Sequence, residues 1–260
     1  MSIFLKTEDE IQLMRQANQL VGKVLAELGK HIRPGVTTLQ LDHIAEEFIH
    51  DHGATPTFKN FPNPFGGPFP ASICTSVNNV VVHGIPSEHD VLEEGDIVSV
   101  DCGVLLNGYN GDSCYTFKVG HVDQHIDSLL KTTLECLRKA ISVAVAGHHV
   151  GDIGAAVSQC AREHGYGVVL GLGGHGIGRQ MHEDPYIPTV GKKGRGALLQ
   201  DGMCIAIEPM ITMGKAEIGL LPDRWGIVTF DGQAAAHYEH TILVRHGRSE
   251  ILSSFKDIVN

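Results

Sequence analysis

The fold is decided by a short stretch, Glu94-Gly95-Asp96-Ile97-Val98-Ser99-Val100-Asp101, which returns in character as Asp201-Gly202-Met203-Cys204-Ile205-Ala206-Ile207-Glu208. Each copy has an acidic-Gly pair typical of a turn, an apolar run typical of a buried strand, and a carboxylate six residues after the glycine. Self-similarity over about 110 residues is too long for a solenoid unit. The pattern therefore predicts a duplicated fold in which the two carboxylates face each other across a pseudo-twofold axis.

Helices repeat in the same order ahead of these strands. Thr7-Glu8-Asp9-Glu10 has the pattern of a capping box, and the helix it opens runs towards Arg33-Pro34-Gly35. Its apolar positions at helical spacing are Ile11, Met14, Ala17, Val21, Val24 and Leu28. The remaining predicted helices span about residues 38–52, 126–146 and 152–164. Segments 35–53 and 147–165 have the same length at an offset of 112, which supports the duplication.

The domain organisation follows from this repeat. No Ser/Pro-rich linker separates the halves, so we predict a single domain over residues 1–260. Its α-α-β halves lie at about 6–119 and 120–252 and are expected to share one sheet and one core. Residues 55–71, with five prolines and two glycines, are predicted to form an irregular loop.

Composition excludes several classes of protein. The chain has 260 residues, with 20 Lys and Arg against 30 Asp and Glu, and its net charge of −10 argues against nucleic acid as the main ligand. No apolar run is long enough to span a membrane, and the N-terminus lacks a signal-peptide pattern. Six cysteines without a C-x-x-C pair predict buried, reduced thiols. We therefore expect a cytoplasmic protein that binds neither a membrane nor, as its main ligand, nucleic acid.

Two aspartates flank a predicted hairpin. Asn107-Gly108 between apolar segments favours a two-residue turn, which would pair Gly103 with Asp112 and place Asp101 on the same face. Diagonal neighbours in such a pair lie about 7–8 Å apart, a gap that two carboxylates can close around a metal ion. An isolated pair of aspartates at this spacing is more often two solvated turn residues.

The second half strengthens the metal interpretation. Glu208 ends one apolar strand and Glu239 lies in another, so four acids occupy strands otherwise built for burial. Between Asp112 and Glu208 along the chain, a glycine-rich segment carries His175, and His182 follows seven residues later. A carboxylate-rich site with one imidazole favours two divalent ions such as Mn, Fe or Co over a structural zinc.

Five motifs together resemble a known family. They are Val82-His83-Gly84-Ile85-Pro86, the hairpin from Asp101 to Asp112, Gly174-His175-Gly176-Ile177-Gly178 with His182, Ile207-Glu208-Pro209-Met210, and Tyr238-Glu239-His240-Thr241. In this order they resemble the methionine aminopeptidases, specifically the short bacterial type I enzymes, over nearly the whole chain. The resemblance implies the α/β pita-bread fold, with duplicated α-α-β halves around a curved antiparallel sheet.

The same resemblance implies the roles of individual residues. The ligands of two divalent ions (Co, Mn or Fe) would be Asp101, Asp112, His175, Glu208 and Glu239, with Asp112 and Glu239 bridging. His83 and His182 would bind and polarise the substrate amide, and Glu208 would carry a proton. The methionine pocket would be lined by Phe69, Cys74, Met181 and Trp225. Departures from the family pattern include Met181 where an aromatic is commoner and His237 in place of a frequent glutamine, but no ligand is altered.

The implied activity is removal of the initiator methionine when the second residue is small. The partners would be N-termini of nascent polypeptides at the ribosome, and the protein would be a monomer. Two alternatives remain. A pita-bread binding protein without catalysis would usually have lost ligands, whereas all five are present. A proline-specific peptidase of the same fold would carry a further N-terminal domain, for which there is no room before Thr7.

Overall fold

The computed structural model describes residues 3–259; Met1, Ser2 and Asn260, which belong to the predicted domain 1–260, lie outside the described residues. Four helices are present, in chain order α1 (Glu8–Gly29), α2 (Thr38–Asp51), α3 (Gln124–Val143) and α4 (Val150–Glu163). All four predicted helices are confirmed, with ends shifted by only a few residues. No helix within residues 3–259 is both long and apolar enough to cross a membrane.

Local sequence explains where the helices begin and end. At the start of α1, Thr7 N–H donates to Glu10 Oε2 at 2.9 Å, and Glu10 N–H donates back to Thr7 Oγ1 at 3.4 Å. The six predicted apolar positions of this helix are fully buried. Helices α2 and α4 each end at a histidine followed by a glycine with positive φ, Gly53 at 72° and Gly165 at 78°. Glycine adopts this left-handed conformation without a steric penalty, so both helices end at equivalent points of the repeat.

The first half contributes five strands, β1 (Thr55–Pro56), β2 (Ile73–Val77), β3 (Val80–Val82), β4 (Ile97–Leu106) and β5 (Tyr109–Lys118). Strand β4 pairs antiparallel with β1, β2 and β5. Asn107 and Gly108 turn the β4–β5 hairpin with φ of 53° and 81°, as a two-residue turn with two positive φ angles requires. Gly103 pairs with Asp112, which confirms the predicted register.

The second half supplies the remaining strands. They are β6 (Gly167–Val168), β7 (Gly173–Gly176), β8 (Glu183–Pro188), β9 (Cys204–Ile207), β10 (Met210–Thr212), β11 (Ile218–Leu220), β12 (Ile227–Thr229), β13 (Ala235–His237), β14 (His240–Leu243) and β15 (Glu250–Ile251). They form three antiparallel sheets with the strand orders β15-β14-β9-β7-β8, β13-β10-β6 and β11-β12-β3. The last of these sheets contains strands from both halves, because β3 belongs to the first half. The described strands thus form four separate antiparallel sheets, whereas one shared sheet was expected. Short strands and register shifts interrupt the pairing.

The halves are joined where β5 meets the β13–β14 region. Glu239 N–H donates to the Cys114 carbonyl at 2.9 Å, and Ser113 Oγ donates to the Glu239 carbonyl at 2.6 Å. Each half has its own apolar core beneath its helices, and Tyr115 and Phe255 pack against both cores. The join fixes Glu239 beside the first-half hairpin, so acidic residues from both halves meet there.

Candidate active site

Four carboxylates, two of them buried and two partly buried, converge at the join between the halves. Asp101 lies in β4 and Asp112 in β5, while Glu208 follows β9 and Glu239 lies between β13 and β14. Asp112 is 3% exposed and Glu239 is 1% exposed. Buried residues precede and follow each of these positions along the chain, so the packing that stabilises the strands also shields the carboxylates from water.

Burial without compensation dominates the electrostatics of this cluster. It raises the pKa of Asp101, Asp112 and Glu239 well above the ordinary range, and neighbouring carboxylates add to the effect on Asp101 and Glu239. Burial also raises the pKa of Glu208 to about 8, although the His175 charge opposes the rise. Asp101 Oδ1, Asp112 Oδ1 and Glu239 Oε1 have no hydrogen-bond partner within the described residues. Buried acceptors of this kind are costly unless a cation satisfies them.

His175 is the one histidine among the five predicted ligands, and its imidazole ring lies directly against the acids. Its Nε2 lies 3.6 Å from Asp112 Oδ2 and 3.9 Å from Glu208 Oε1. Its Nδ1 lies 2.9 Å from the Gly176 carbonyl, which can only accept, so Nδ1 carries the proton and Nε2 presents its lone pair to the acids. Ligand atoms of Asp112, His175 and Glu239 all lie within 4.8 Å of one another. This donor set fits hard or borderline divalent ions.

A glycine lets the histidine strand approach this closely. A Cβ added at Gly174 would collide with the carbonyl oxygen of Ala206 on the neighbouring strand β9. Only glycine therefore allows β7 to pack here, one residue before His175.

A small aromatic pocket opens onto the cluster. The cavity of about 140 Å³ is lined by the four acids, His175, His83, His182, Phe58, Phe61, Phe69, Cys74 and Trp225. Trp225 packs edge-on against Phe69 at 5.1 Å between ring centroids, and its Nε1 donates to the Gly67 carbonyl at 3.2 Å. Cys74 of β2 pairs directly with Asp101 of β4. The pocket therefore combines one apolar wall with one acidic wall.

Two further histidines face this pocket. Burial lowers the pKa of His83, and burial with the neighbouring His175 and His83 charges lowers the pKa of His182 to about 4. The rings of His175 and His182 meet edge-on at 4.4 Å between centroids. Both His83 and His182 are neutral at pH 7 and can therefore donate or accept a hydrogen bond to a polar substrate group.

The structure also places some residues differently from the sequence-based expectation. Met181 does not line the described cavity and packs in an adjoining cluster that includes Phe58 and Phe61. These two phenylalanines were missed because they lie in the loop 55–71, where four aromatics among prolines were the available signal. His237 was also missed as a site residue: it is buried, its Nε2 lies 3.6 Å from Glu208 Oε2, and that nitrogen has no hydrogen-bond partner in the described chain.

Comparison of the sequence with known families shows which family this chain belongs to. Residues 12–246 match the profile of metallopeptidase family M24. The chain belongs to this family. A methionine aminopeptidase of Clostridium acetobutylicum is 47% identical over 251 residues, covering 96% of this chain and 98% of the relative.

Solved structures agree with M24 membership. A methionine aminopeptidase from Thermotoga maritima superposes with a TM-score of 0.93 at 39% identity, covering 97% of this chain and all of that one. A Xaa-Pro dipeptidase from Bacillus anthracis, 24% identical, gives a TM-score of 0.77 over 96% of this chain and 62% of its own, which shows a shared fold alone. The expected pita-bread fold is therefore confirmed, and the M24 family implies use of divalent metal.

Removing metal is expected to make the free energy of unfolding depend on pH. The pKa of Glu208 rises from 4.5 to about 8 on folding, so the folded state holds this proton more tightly, and stability is lost as pH rises towards 8. Between about pH 7 and about pH 8, Glu208 alone should lower the Tm of chelator-treated protein by about 3 °C. His237 opposes this change only slightly, because its folded-state pKa of about 3 and its ordinary pKa of 6.5 both lie below the window and the group is mostly neutral in both states there.

Thermal denaturation with chelator or with Mn²⁺ measures this effect. The Mn²⁺-loaded protein should show little change in Tm over the same interval, because the cation replaces the proton. A metal-free Tm that is constant or rises from pH 7 to pH 8 would contradict the buried-carboxylate interpretation.

Proposed function

We propose that this chain removes the N-terminal methionine from polypeptides whose second residue is small, by metal-assisted hydrolysis. The observation that carries the proposal is the cluster of buried, unsatisfied carboxylates at the base of a small aromatic pocket. The relatives named methionine aminopeptidase, which match over nearly their full length, support the same activity.

The proposed metal ligands are Asp101, Asp112, His175, Glu208 and Glu239. These residues would hold two divalent ions, Co, Mn or Fe, and the ligand atoms of Asp112, His175 and Glu239 already lie within 4.8 Å of one another. Bound ions of this kind supply Lewis acidity, which polarises a carbonyl and lowers the pKa of water.

Protein side chains would orient the substrate around this centre. His83 and His182, neutral at pH 7, are positioned to hydrogen-bond the amide of the scissile bond from the pocket wall. Glu208 lies at the edge of the cluster, with its side chain 15% exposed against 4% for Asp112. It is therefore the acid best placed to carry a proton to the leaving amine.

Hydrolysis of the peptide Met-Ala-Ser tests the proposal. Chelator-treated protein should be inactive, and Mn²⁺, Co²⁺ or Fe²⁺ restored in anaerobic buffer should release free methionine. The ion that gives the highest turnover at matched occupancy would be the best candidate for the cofactor. No release with any ion would support a binding protein instead, and faster cleavage of Ala-Pro-Ser would support a proline-specific peptidase.

His83→Ala is expected to keep both metal ions and to lower kcat by about 100-fold, because His83 acts on the substrate and not on the metal. Elemental analysis together with kcat and KM measures this split. Since His83 has a positive φ of 58°, His83→Asn serves as a second variant that tolerates this backbone. The exposed His89→Ala is the control, and loss of metal from both His83 variants would move His83 into the ligand set.

We further propose that residues 1–260 form one catalytic domain that acts as a monomer in the cytoplasm. Nascent N-termini emerging from the ribosome would be its substrates, since the initiator methionine first becomes accessible there.

A further inference from the structure

A second group of potential metal ligands lies between α3 and α4, outside the candidate active site. It consists of Glu135 in α3, Cys160 in α4 and His164 at the end of α4. Their ligand atoms all lie within 4.8 Å of one another, and His164 Nε2 is 3.8 Å from Glu135 Oε2. None of the three lines the pocket described above.

Backbone hydrogen bonding orients the imidazole of this group. His164 Nδ1 lies 3.0 Å from the Cys160 carbonyl, one helical turn earlier. A carbonyl can only accept, so Nδ1 carries the proton and Nε2 presents a lone pair towards Glu135. Metal-binding histidines are oriented by the same kind of hydrogen bond.

The thiol of Cys160 completes the group. Cys160 is fully buried in α4, and its sulfur lies within 4.8 Å of ligand atoms of both Glu135 and His164. A thiol held beside a carboxylate and an imidazole can supply the sulfur ligand of a mixed-donor metal site.

The duplicated fold provides an internal comparison. In the first half, His52 Nδ1 lies 2.8 Å from the Phe48 carbonyl, so the equivalent histidine makes the same backbone bond. At the offset of 112, however, Phe48 replaces Cys160 and Lys23 replaces Glu135. Capping of the helix thus explains the histidine in both halves, but it does not explain the thiol and carboxylate placed around His164.

We propose that Glu135, Cys160 and His164 bind one Zn²⁺ ion that links α3 to α4, with water as the fourth ligand. Sulfur, nitrogen and oxygen are the donors that zinc accepts, at bond lengths of about 2.0–2.3 Å. Glu135 and His164 are 43% and 40% exposed at their side chains, so both can move the short distance needed. Binding releases the Cys160 thiol proton to solvent.

Nearby charges are compatible with this occupant. Lys139 Nζ lies 2.8 Å from Glu135 Oε1 and 3.5 Å from Glu163 Oε2. When zinc binds Glu135, Lys139 can remain paired with Glu163. An exposed ion pair of this kind contributes little to the stability of the protein, so loss of the Lys139–Glu135 pair does not prevent zinc from binding.

Titration of the reduced, full-length protein with Co²⁺ tests the site, because a thiolate ligand gives a charge-transfer band in the near ultraviolet. The candidate active-site ligands include no thiolate, so the band reports on Cys160 and does not depend on peptidase activity. The band should saturate when one Co²⁺ ion is bound in addition to the two proposed for the active site. It should disappear on addition of Zn²⁺ and be absent from Cys160→Ser. His164→Ala and Glu135→Gln, both at half-exposed positions, should each weaken Co²⁺ binding at least about tenfold.

His52→Ala is the matched control, because it removes the equivalent capping bond from the first half and should leave the band unchanged. Circular dichroism checks that each variant folds. Absence of the band in the parent protein, its persistence in a folded Cys160→Ser variant, or unchanged Co²⁺ affinity in both His164→Ala and Glu135→Gln would overturn the proposal. If Cys160→Ser does not fold, the two half-exposed variants decide the question.

Discussion

Asp112→Asn is expected to lower methionine release from Met-Ala-Ser on the order of 1000-fold or more and to reduce the bound metal. Asp112 is almost completely buried, its Oδ1 has no protein partner among the described residues, and its Oδ2 faces His175 Nε2 at 3.6 Å. Asparagine of the same size removes one negative charge from the centre of the proposed ligand set. In a buried, low-dielectric site the cations lose the neutralisation that this charge supplies, which weakens their binding.

Asp42→Asn is the matched control for this change. Asp42 is also buried, and burial raises its pKa, but its Oδ1 accepts backbone N–H groups of Ser72 and Ile73 at 2.8 and 3.0 Å. An amide oxygen can accept the same bonds, so this variant should keep its metal and most of its activity. Elemental analysis and kcat report both outcomes, and near-full turnover of Asp112→Asn with two ions bound would refute its role as a ligand.

Stability provides a second measurement on the same variant. Without metal, Asp112→Asn should have a higher Tm than the parent protein at neutral pH, because the parent must protonate this buried carboxyl on folding, whereas the amide is already neutral. With Mn²⁺ the order should reverse. A variant that is more stable without metal but inactive shows that the loss of activity is not a loss of folding.

Local rules were sufficient for much of the fold. Thr7 and Glu10 predicted the start of α1, and Asn107-Gly108 predicted the register that pairs Gly103 with Asp112. These signals act within a few residues, so the sequence carries them directly. The duplication then related Glu208 to Asp101 without any structural information.

The apolar wall of the pocket could not be predicted in the same way. Phe58 and Phe61 reach the cavity because the loop 55–71 is held by distant contacts, such as the hydrogen bond from Trp225 Nε1 to the Gly67 carbonyl. A loop without periodicity takes its shape from such contacts, which no local pattern encodes. The group around Cys160 was missed for a related reason, since Glu135 approaches it from a different helix.

The shape of the pocket sets the second large expectation, which concerns the choice of substrate. A cavity of about 140 Å³ is far smaller than the pockets of about 300–1,000 Å³ that hold drug-sized ligands, so it has room for little more than one side chain. Phe69, Cys74 and Trp225 form an apolar surface that suits a flexible, unbranched thioether. Methionine should therefore be preferred at the first position over the branched side chain of leucine.

The second residue of the substrate should be limited by crowding. It would lie beside His83, His182 and the acidic cluster, whose positions are fixed by burial and by strand pairing. We expect Met-Ala-Ser to be cleaved at least about 100-fold faster, by kcat/KM, than Met-Leu-Ser or Leu-Ala-Ser, because steric exclusion can exceed the few kcal/mol that one methylene contributes.

Mass spectrometry of the three digests at matched metal occupancy measures both preferences independently. Equal cleavage of Met-Ala-Ser and Leu-Ala-Ser would remove the methionine assignment, and equal cleavage of Met-Ala-Ser and Met-Leu-Ser would remove the limit on the second residue. Either result would leave a metal-dependent aminopeptidase of broader specificity, because the carboxylate cluster that supports hydrolysis is separate from the walls that select the peptide.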